Sequence, residues 1–100
     1  MMTITAIIRA KAGHADIVKQ ALLSVIEAVR RAEPHTLNYY VCQSADDPTI
    51  FTTFERFRDE AAMELHNKSA AVAKFVEVAG PVLADKVILH TCNEVAAKQD

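Results

Sequence analysis

The hydrophobic period of this chain changes from segment to segment, and the order of those changes constrains the fold more than any other feature. Four segments rich in β-branched and aromatic residues indicate strands. They are residues 3–10, 36–44, 49–57 and 86–94. Residues 15–31 and 59–79 instead carry apolar residues at the three- and four-residue spacing of amphipathic helices. The predicted order is therefore β-α-β-β-α-β, an α+β arrangement.

Local signals mark the ends of these elements. The Glu-Pro pair at residues 33–34 ends the first helix, because a residue before proline avoids the α region. Residues 45–48 (ADDP) form a turn between the second and third strands. Asp59 suits the N-cap of the next helix, which we expect to break near residues 68–69. The Gly-Pro pair at residues 80–81 then ends the helical pattern.

A chain of 100 residues, 51% of them hydrophobic, has the length and composition of a single domain, which we predict to cover residues 1–100. The element order predicts the ferredoxin-like fold, with four antiparallel strands covered on one face by two helices. Strand alternation puts apolar residues on both faces of residues 36–44 and 49–57. We therefore expect a homodimer in which the open face of the sheet packs against a second copy.

Charge and hydropathy exclude several classes of partner. The 11 Lys and Arg residues and 13 Asp and Glu residues give a net charge of −2 without a basic stripe, so nucleic acid is not expected as a partner. No apolar run approaches the roughly 20 residues that a membrane helix needs, so no membrane contact is expected. The first residues lack the basic-then-apolar pattern of a secretory signal, and we predict a cytoplasmic protein.

The sequence offers no pattern for a resident metal or cofactor. Cys42 and Cys92 have neither CxxC spacing nor a nearby His, and no two histidines stand at metal-ligand spacing. A disulfide between these cysteines is the alternative to two free thiols on strands. The chain has no glycine-rich phosphate loop, GxGxxG motif or nucleophile elbow. We therefore predict a function without metal, nucleotide, flavin or nicotinamide.

Five segments, in their order and spacing, resemble the antibiotic biosynthesis monooxygenase family. They are residues 11–14 (KAGH), 31–34 (RAEP), 43–51 (QSADDPTIF), 54–62 (FERFRDEAA) and 65–69 (LHNKS). The resemblance spans residues 4–89 and implies a dimeric α/β barrel. It also implies a small-molecule substrate, since members of the family include cofactor-free quinol or polyketide oxygenases, haem-degrading enzymes and a small-carbonyl isomerase.

Three positions depart from the pattern that the resemblance implies. His35 stands where the family often has Gly, Phe57 where it often has Trp, and Ala71 where it often has a second His. The haem-degrading branch carries an Asn–Trp–His triad. In this sequence the three triad positions fall near the first strand, at Phe57 and around Val76, and none of the three triad residues is retained. Haem degradation is therefore not expected.

His66 and Glu55 are the candidate catalytic residues. Helical spacing from Ala62 turns His66 towards the sheet, where an imidazole titrates near neutral pH and can take a proton from a phenol or an activated C–H. Glu55 shares its strand face with aromatic residues, so its charge needs a partner such as an Arg or His66. The alternatives are a core histidine bonded to a carbonyl and a carboxylate in a structural ion pair.

Aromatic residues supply the candidate substrate-binding wall. The candidates are Tyr39, Phe51, Phe57 and Phe75. Tyr39 and Tyr40 lie on opposite faces of one strand, so at most one of them faces a given pocket. Packing in the core is the alternative role for each of these rings.

Three functions remain open at this point. The first is a cofactor-independent monooxygenase that oxidises a small aromatic or quinol-like substrate with O₂ in an apolar pocket between sheet and helices. The second is an isomerase of a small carbonyl compound, which a polar pocket with Arg9 or Arg56 pointing inwards favours. The third is a non-catalytic ligand-binding dimer, since a pocket can outlive its chemistry. The resemblance and the few reactive groups favour the first.

Overall fold

The computed structural model describes residues 1–98 and confirms the predicted α+β, ferredoxin-like order. The strands are β1 (Met2–Arg9), β2 (Thr36–Gln43), β3 (Ile50–Phe57) and β4 (Ile88–Asn93). The helices are α1 (Ala15–Ala32), α2 (Glu60–Asn67) and α3 (Ala70–Ala79), and a 3₁₀ turn follows at Gly80–Val82. The four strands form one antiparallel sheet in the order β2-β3-β1-β4. Within one chain this sheet is open and does not close into a barrel.

Two side-chain caps divide the second helical segment where the sequence predicts a break. The carboxylate of Asp59 accepts a hydrogen bond from the backbone N–H of Ala62 at 2.9 Å and begins α2. The hydroxyl of Ser69 accepts one from the N–H of Val72 at 3.2 Å and begins α3. The predicted cap at Asp59 and the predicted break are both confirmed. The break lets α2 and α3 follow the sheet as two short helices.

The core lies between the helices and one face of the sheet. In β3 the side chains of alternate residues point into this core. They are Phe51, Thr53, Glu55 and Phe57. Val18, Ala21 and Leu22 of α1 share one core cluster with Phe51, whereas Phe57 packs with Ile4, Ala62 and Met63. The buried stripe of α1 has helical spacing and consists of Val18, Ala21, Leu22, Val25 and Val29. A buried carboxylate in such a layer needs a partner, and this requirement leads to the candidate site.

The opposite face of the sheet carries no helix and leaves large apolar side chains exposed. Tyr40 lies opposite Phe54 in the register of β2 and β3, with ring centroids 6.3 Å apart. Ile7 lies opposite Ile88 in the register of β1 and β4. All four of these side chains are exposed in the single chain. We call this surface the open face.

The remaining sequence predictions concern the thiols and the membrane. Cys42 and Cys92 are free and exposed, on β2 and β4 at the two edges of the sheet. None of the helices in residues 1–98 has the length and apolar character needed to cross a membrane.

Candidate functional site

His66 lies in the core because α2 turns one face towards the sheet. Ala62, Met63 and His66 are the buried residues of this helix, at the spacing that places side chains on one face. His66 is only 2% exposed. A polar ring at that depth must find hydrogen-bond partners within the protein.

Two carboxylates supply those partners from opposite sides of the ring. Glu55 places Oε1 3.3 Å from Nε2 of His66, and Glu33 places Oε1 2.9 Å from Nδ1. Each carboxylate is also held by a hydroxyl. Thr53 donates to Oε2 of Glu55 at 2.9 Å, and Thr36 donates to Oε1 of Glu33 at 2.8 Å. We call these three ionisable residues the Glu33–His66–Glu55 cluster.

Two aromatic rings enclose the imidazole. The ring centroid of Tyr39 lies 5.4 Å from that of His66, and the centroid of Phe57 lies 5.5 Å away. Tyr39 therefore faces inwards, while Tyr40 points to the open face. The cluster is a charged group with apolar surroundings, in which electrostatic interactions are stronger than in water.

The balance of burial and charge raises the pKa of His66. Burial is the largest single influence and lowers this pKa, but the hydrogen bond and negative charge of Glu55, with those of Glu33, together outweigh it. The pKa of the Tyr39 hydroxyl is also raised, first by burial and then by the charges of Glu55 and Glu33. The raised pKa of His66 favours an imidazolium between the two acceptors, and the raised pKa of Tyr39 keeps its hydroxyl a neutral phenol.

The geometry of the cluster suits a proton rather than a metal ion. The two carboxylates bond to different nitrogens of one ring, so they lie on opposite sides of it and do not converge on a common point. Within residues 1–98 no group of three or more His, Cys, Asp or Glu residues is arranged to hold a metal ion.

The main cavity is a groove of about 950 Å³ between α1 and the α2–α3 pair. Small residues on the facing sides of the helices leave this space open, among them Ala28, Ala32 and Ala71. Phe75 contributes an aromatic wall, and Glu33 lies in the lining next to Thr36. The volume falls within the range of small-molecule sites.

A second cavity of about 300 Å³ lies on the other side of the turn between α1 and β2. Its lining includes Tyr39, and it shares Glu33, Pro34 and Thr36 with the larger groove. His66 lines neither cavity. The turn at residues 33–36 therefore separates the two cavities, and Glu33 contacts both.

The predicted site residues lie in three different places: around His66, in the groove and in the core. His66 and Glu55 contact each other, and Tyr39 and Phe57 contact the imidazole. Phe75 lines the groove, whereas Phe51 packs in the core cluster of β1 and α1 and lines neither cavity. Whether these residues act on a substrate stays a prediction.

Sequence reasoning missed Glu33. The Glu-Pro pair at residues 33–34 predicts the helix end, which the structure confirms, and the family resemblance includes it without a site role. A carboxylate at the end of a helix, followed at once by a strand that runs beside a candidate histidine, is the signal that could have found it. The groove between the helices was missed as well, because a pocket was expected between the sheet and the helices.

Comparison with known proteins identifies the family of the chain. The model of the family described as antibiotic biosynthesis monooxygenase matches residues 1–78. The chain belongs to the antibiotic biosynthesis monooxygenase family. The resemblance noted in the sequence is thereby confirmed. A search of curated proteins found no match.

Solved structures with the same fold match this chain over almost its whole length. A protein from Pseudomonas aeruginosa is 29% identical, with a TM-score of 0.84 over 95% of this chain and 94% of that one. A protein from Mycobacterium tuberculosis is 20% identical, with a TM-score of 0.88 over 98% of each chain. A structure described as an antibiotic biosynthesis monooxygenase is 23% identical, with a TM-score of 0.86 over 96% of this chain and 100% of that one.

Proposed function

We propose that this family member is a cofactor-independent monooxygenase that oxidises a small, electron-rich aromatic or quinol-like compound with O₂. The single observation that carries the proposal is the Glu33–His66–Glu55 cluster, a set of hydrogen-bonded ionisable groups at the edge of an apolar groove. Family membership supports the oxygenase class. His66 and Glu55, the catalytic candidates of the sequence, both belong to this cluster.

The proposed chemistry needs a base, an apolar enclosure and oxygen. For a substrate with an activated methylene, the base breaks one C–H bond and leaves a carbanion. The carbanion gives one electron to O₂, and the resulting radical pair combines to a peroxide. The peroxide takes back a proton and loses water. The balance is R₂CH₂ + O₂ → R₂C=O + H₂O, so the substrate supplies every electron. An apolar enclosure protects the intermediates from water.

The groove suits the substrate class. Alanine side chains and the ring of Phe75 make most of its wall apolar, and a volume of about 950 Å³ accommodates two or three fused rings. The other predicted wall residues support the enclosure from within the core, where Phe57 and Tyr39 pack on His66 and Phe51 lies under α1.

Oxygen uptake tests the proposal. We expect the purified protein to consume O₂ above the uncatalysed rate with a panel of anthrones and reduced naphthoquinones. His66→Gln should lower the enzymatic rate about 10²-fold, because it removes the imidazole that holds Glu33 and Glu55 in place. His14→Gln is the matched control, since His14 lies just before α1, outside the cluster, and lines neither cavity. Background uptake by wild type on every compound contradicts the proposal, and bound ligand without turnover favours a non-catalytic dimer.

The isomerase alternative gains no support from the two arginines that favour it in the sequence. Arg9 forms an ion pair with Asp85 at 3.7 Å, and Arg56 forms a bidentate pair with Glu94 at 2.7 and 3.0 Å. Neither arginine lines the groove. We therefore retain the oxygenase as the proposed function.

We further propose that the open face joins two copies into a homodimer, as the sequence predicts. Four exposed apolar side chains on that face support this assembly. Phe54→Glu puts a charge at the centre of the face and should shift the protein from dimer to monomer in sedimentation velocity. Val76→Glu, on the exposed side of α3, is the control and should leave the sedimentation coefficient unchanged. A monomeric wild type contradicts this assembly.

A further inference from the structure

Glu33 is the member of the Glu33–His66–Glu55 cluster that reaches the groove. It lines the groove, while His66 and Glu55 do not. The side chain of Glu33 is 15% exposed, against 3% for His66 and 7% for Glu55. A substrate in the groove therefore meets the cluster at Glu33, and the imidazole lies one residue further in.

The end of α1 holds this carboxylate in place. Glu33 is the C-cap of the helix, and its N–H donates to the carbonyl of Val29 at 3.0 Å. Pro34 ends the helix, and the N–H of Thr36 donates back to the carbonyl of Glu33 at 3.2 Å. The side chain is held by Thr36 and His66, both of which bond to Oε1. The lone pairs of Oε2 remain for a proton from the groove.

The groups around Glu33 suit a base whose substrate becomes an anion. Thr36 and His66 both bond to Oε1, so a proton taken up at Oε2 leaves both bonds in place. Arg31 and Lys74 also line the groove, so their cations can stabilise the substrate anion that the proton leaves behind.

We propose that Glu33 is the catalytic base that accepts the substrate proton in the groove. His66 and Glu55 are positioning residues: His66 bonds to the carboxylate of Glu33, and Glu55 bonds to the other side of the imidazole. This inference rests on the proposed function. In the step a C–H or O–H bond of the substrate breaks, its proton bonds to Oε2 of Glu33, and the electron pair stays on the substrate.

Deuterium exchange without oxygen isolates this step from the oxidation. Anthrone is incubated anaerobically with the protein in D₂O, and uptake of deuterium at its methylene is followed by NMR. We expect exchange above the rate without protein, a loss of about 100-fold or more in Glu33→Gln, and no change in Glu27→Gln. Glu27 is the matched control because it lies on α1, pairs with Arg30 and does not line the groove.

Chemical rescue separates a base from a structural residue. In Glu33→Ala, acetate or formate can enter from the groove and should restore part of the exchange. In Glu55→Ala the same anions should not restore it, because Glu55 is buried away from both cavities. Glu33→Asp keeps the carboxylate and serves as the second variant if Glu33→Ala does not fold.

The outcomes distinguish this inference from the proposed function. Exchange that depends on Glu33, without O₂ uptake, supports the base and rejects the oxygenase. O₂ uptake with exchange that is unchanged in Glu33→Gln supports the oxygenase and overturns the base. Exchange absent from wild type, or rescue absent from Glu33→Ala, also overturns it.

Discussion

His66→Leu should lower the free energy of unfolding at pH 6, where the raised pKa keeps His66 charged, by about 3–5 kcal/mol, the cost of removing one partner from a buried ion pair. The variant leaves buried Glu55 and half-buried Glu33 without the cation that both of them face. Urea denaturation measures the effect. His35→Leu is the control, because this exposed histidine should change stability by no more than about 0.5 kcal/mol. Equal stability of His66→Leu and wild type contradicts an imidazolium in the cluster.

The pH dependence of the same measurement has a defined sign. The pKa of His66 is raised in the folded state above its unfolded value of about 6.5. Between the two values the folded state binds more protons than the unfolded state, so the free energy of unfolding falls as pH rises. This contribution is fully present below about pH 6.5 and is lost through the raised pKa. His66→Leu should lack the slope in that window, and a variant with the slope of wild type contradicts the assignment.

Phe57→Ala should destabilise the protein by about 3–5 kcal/mol, as expected for a large side chain removed from a packed core. Phe57 is fully buried and packs with Ile4 and Met63, and its ring contacts the imidazole of His66. The cavity that results also loosens His66, so turnover should fall together with stability.

The control for Phe57→Ala is Leu65→Ala. Leu65 lies on α2 with most of its side chain exposed, and its truncation should cost no more than about 0.5 kcal/mol. Thermal unfolding of the two variants provides the comparison. A loss below about 1 kcal/mol for Phe57→Ala contradicts its place in the core.

Features that depend on local sequence could be predicted. The cap at Asp59 acts within three residues, so its carboxylate is visible in the sequence as a helix start, and the break near residues 68–69 is local as well. Alternation along β3 places Glu55 on the core side, and helical spacing turns His66 to the same side. The contact between Glu55 and His66 follows once the helix packs on the sheet.

Features that depend on packing between distant segments could not be predicted from the sequence. Glu33 lies 33 residues from His66, and no periodicity links the end of α1 to the last turn of α2. The groove arises from how α1 packs on α3, and a helical pattern gives the buried stripe of each helix without the gap between them. The sequence predicts a pocket between the sheet and the helices, whereas the groove lies between the helices. The volumes of the side chains at each contact decide where space remains, and the hydrophobic pattern does not contain that information.

The measurement that bears most directly on the proposed function is the incorporation of oxygen from ¹⁸O₂. Anthrone is oxidised by the protein under ¹⁸O₂, and the product is analysed by mass spectrometry after subtraction of the reaction without protein. A cofactor-independent monooxygenase predicts one ¹⁸O atom in each product molecule and the other in water, at a rate that falls in His66→Gln. Hydrogen peroxide without labelled product, or no protein-dependent product at all, would contradict it.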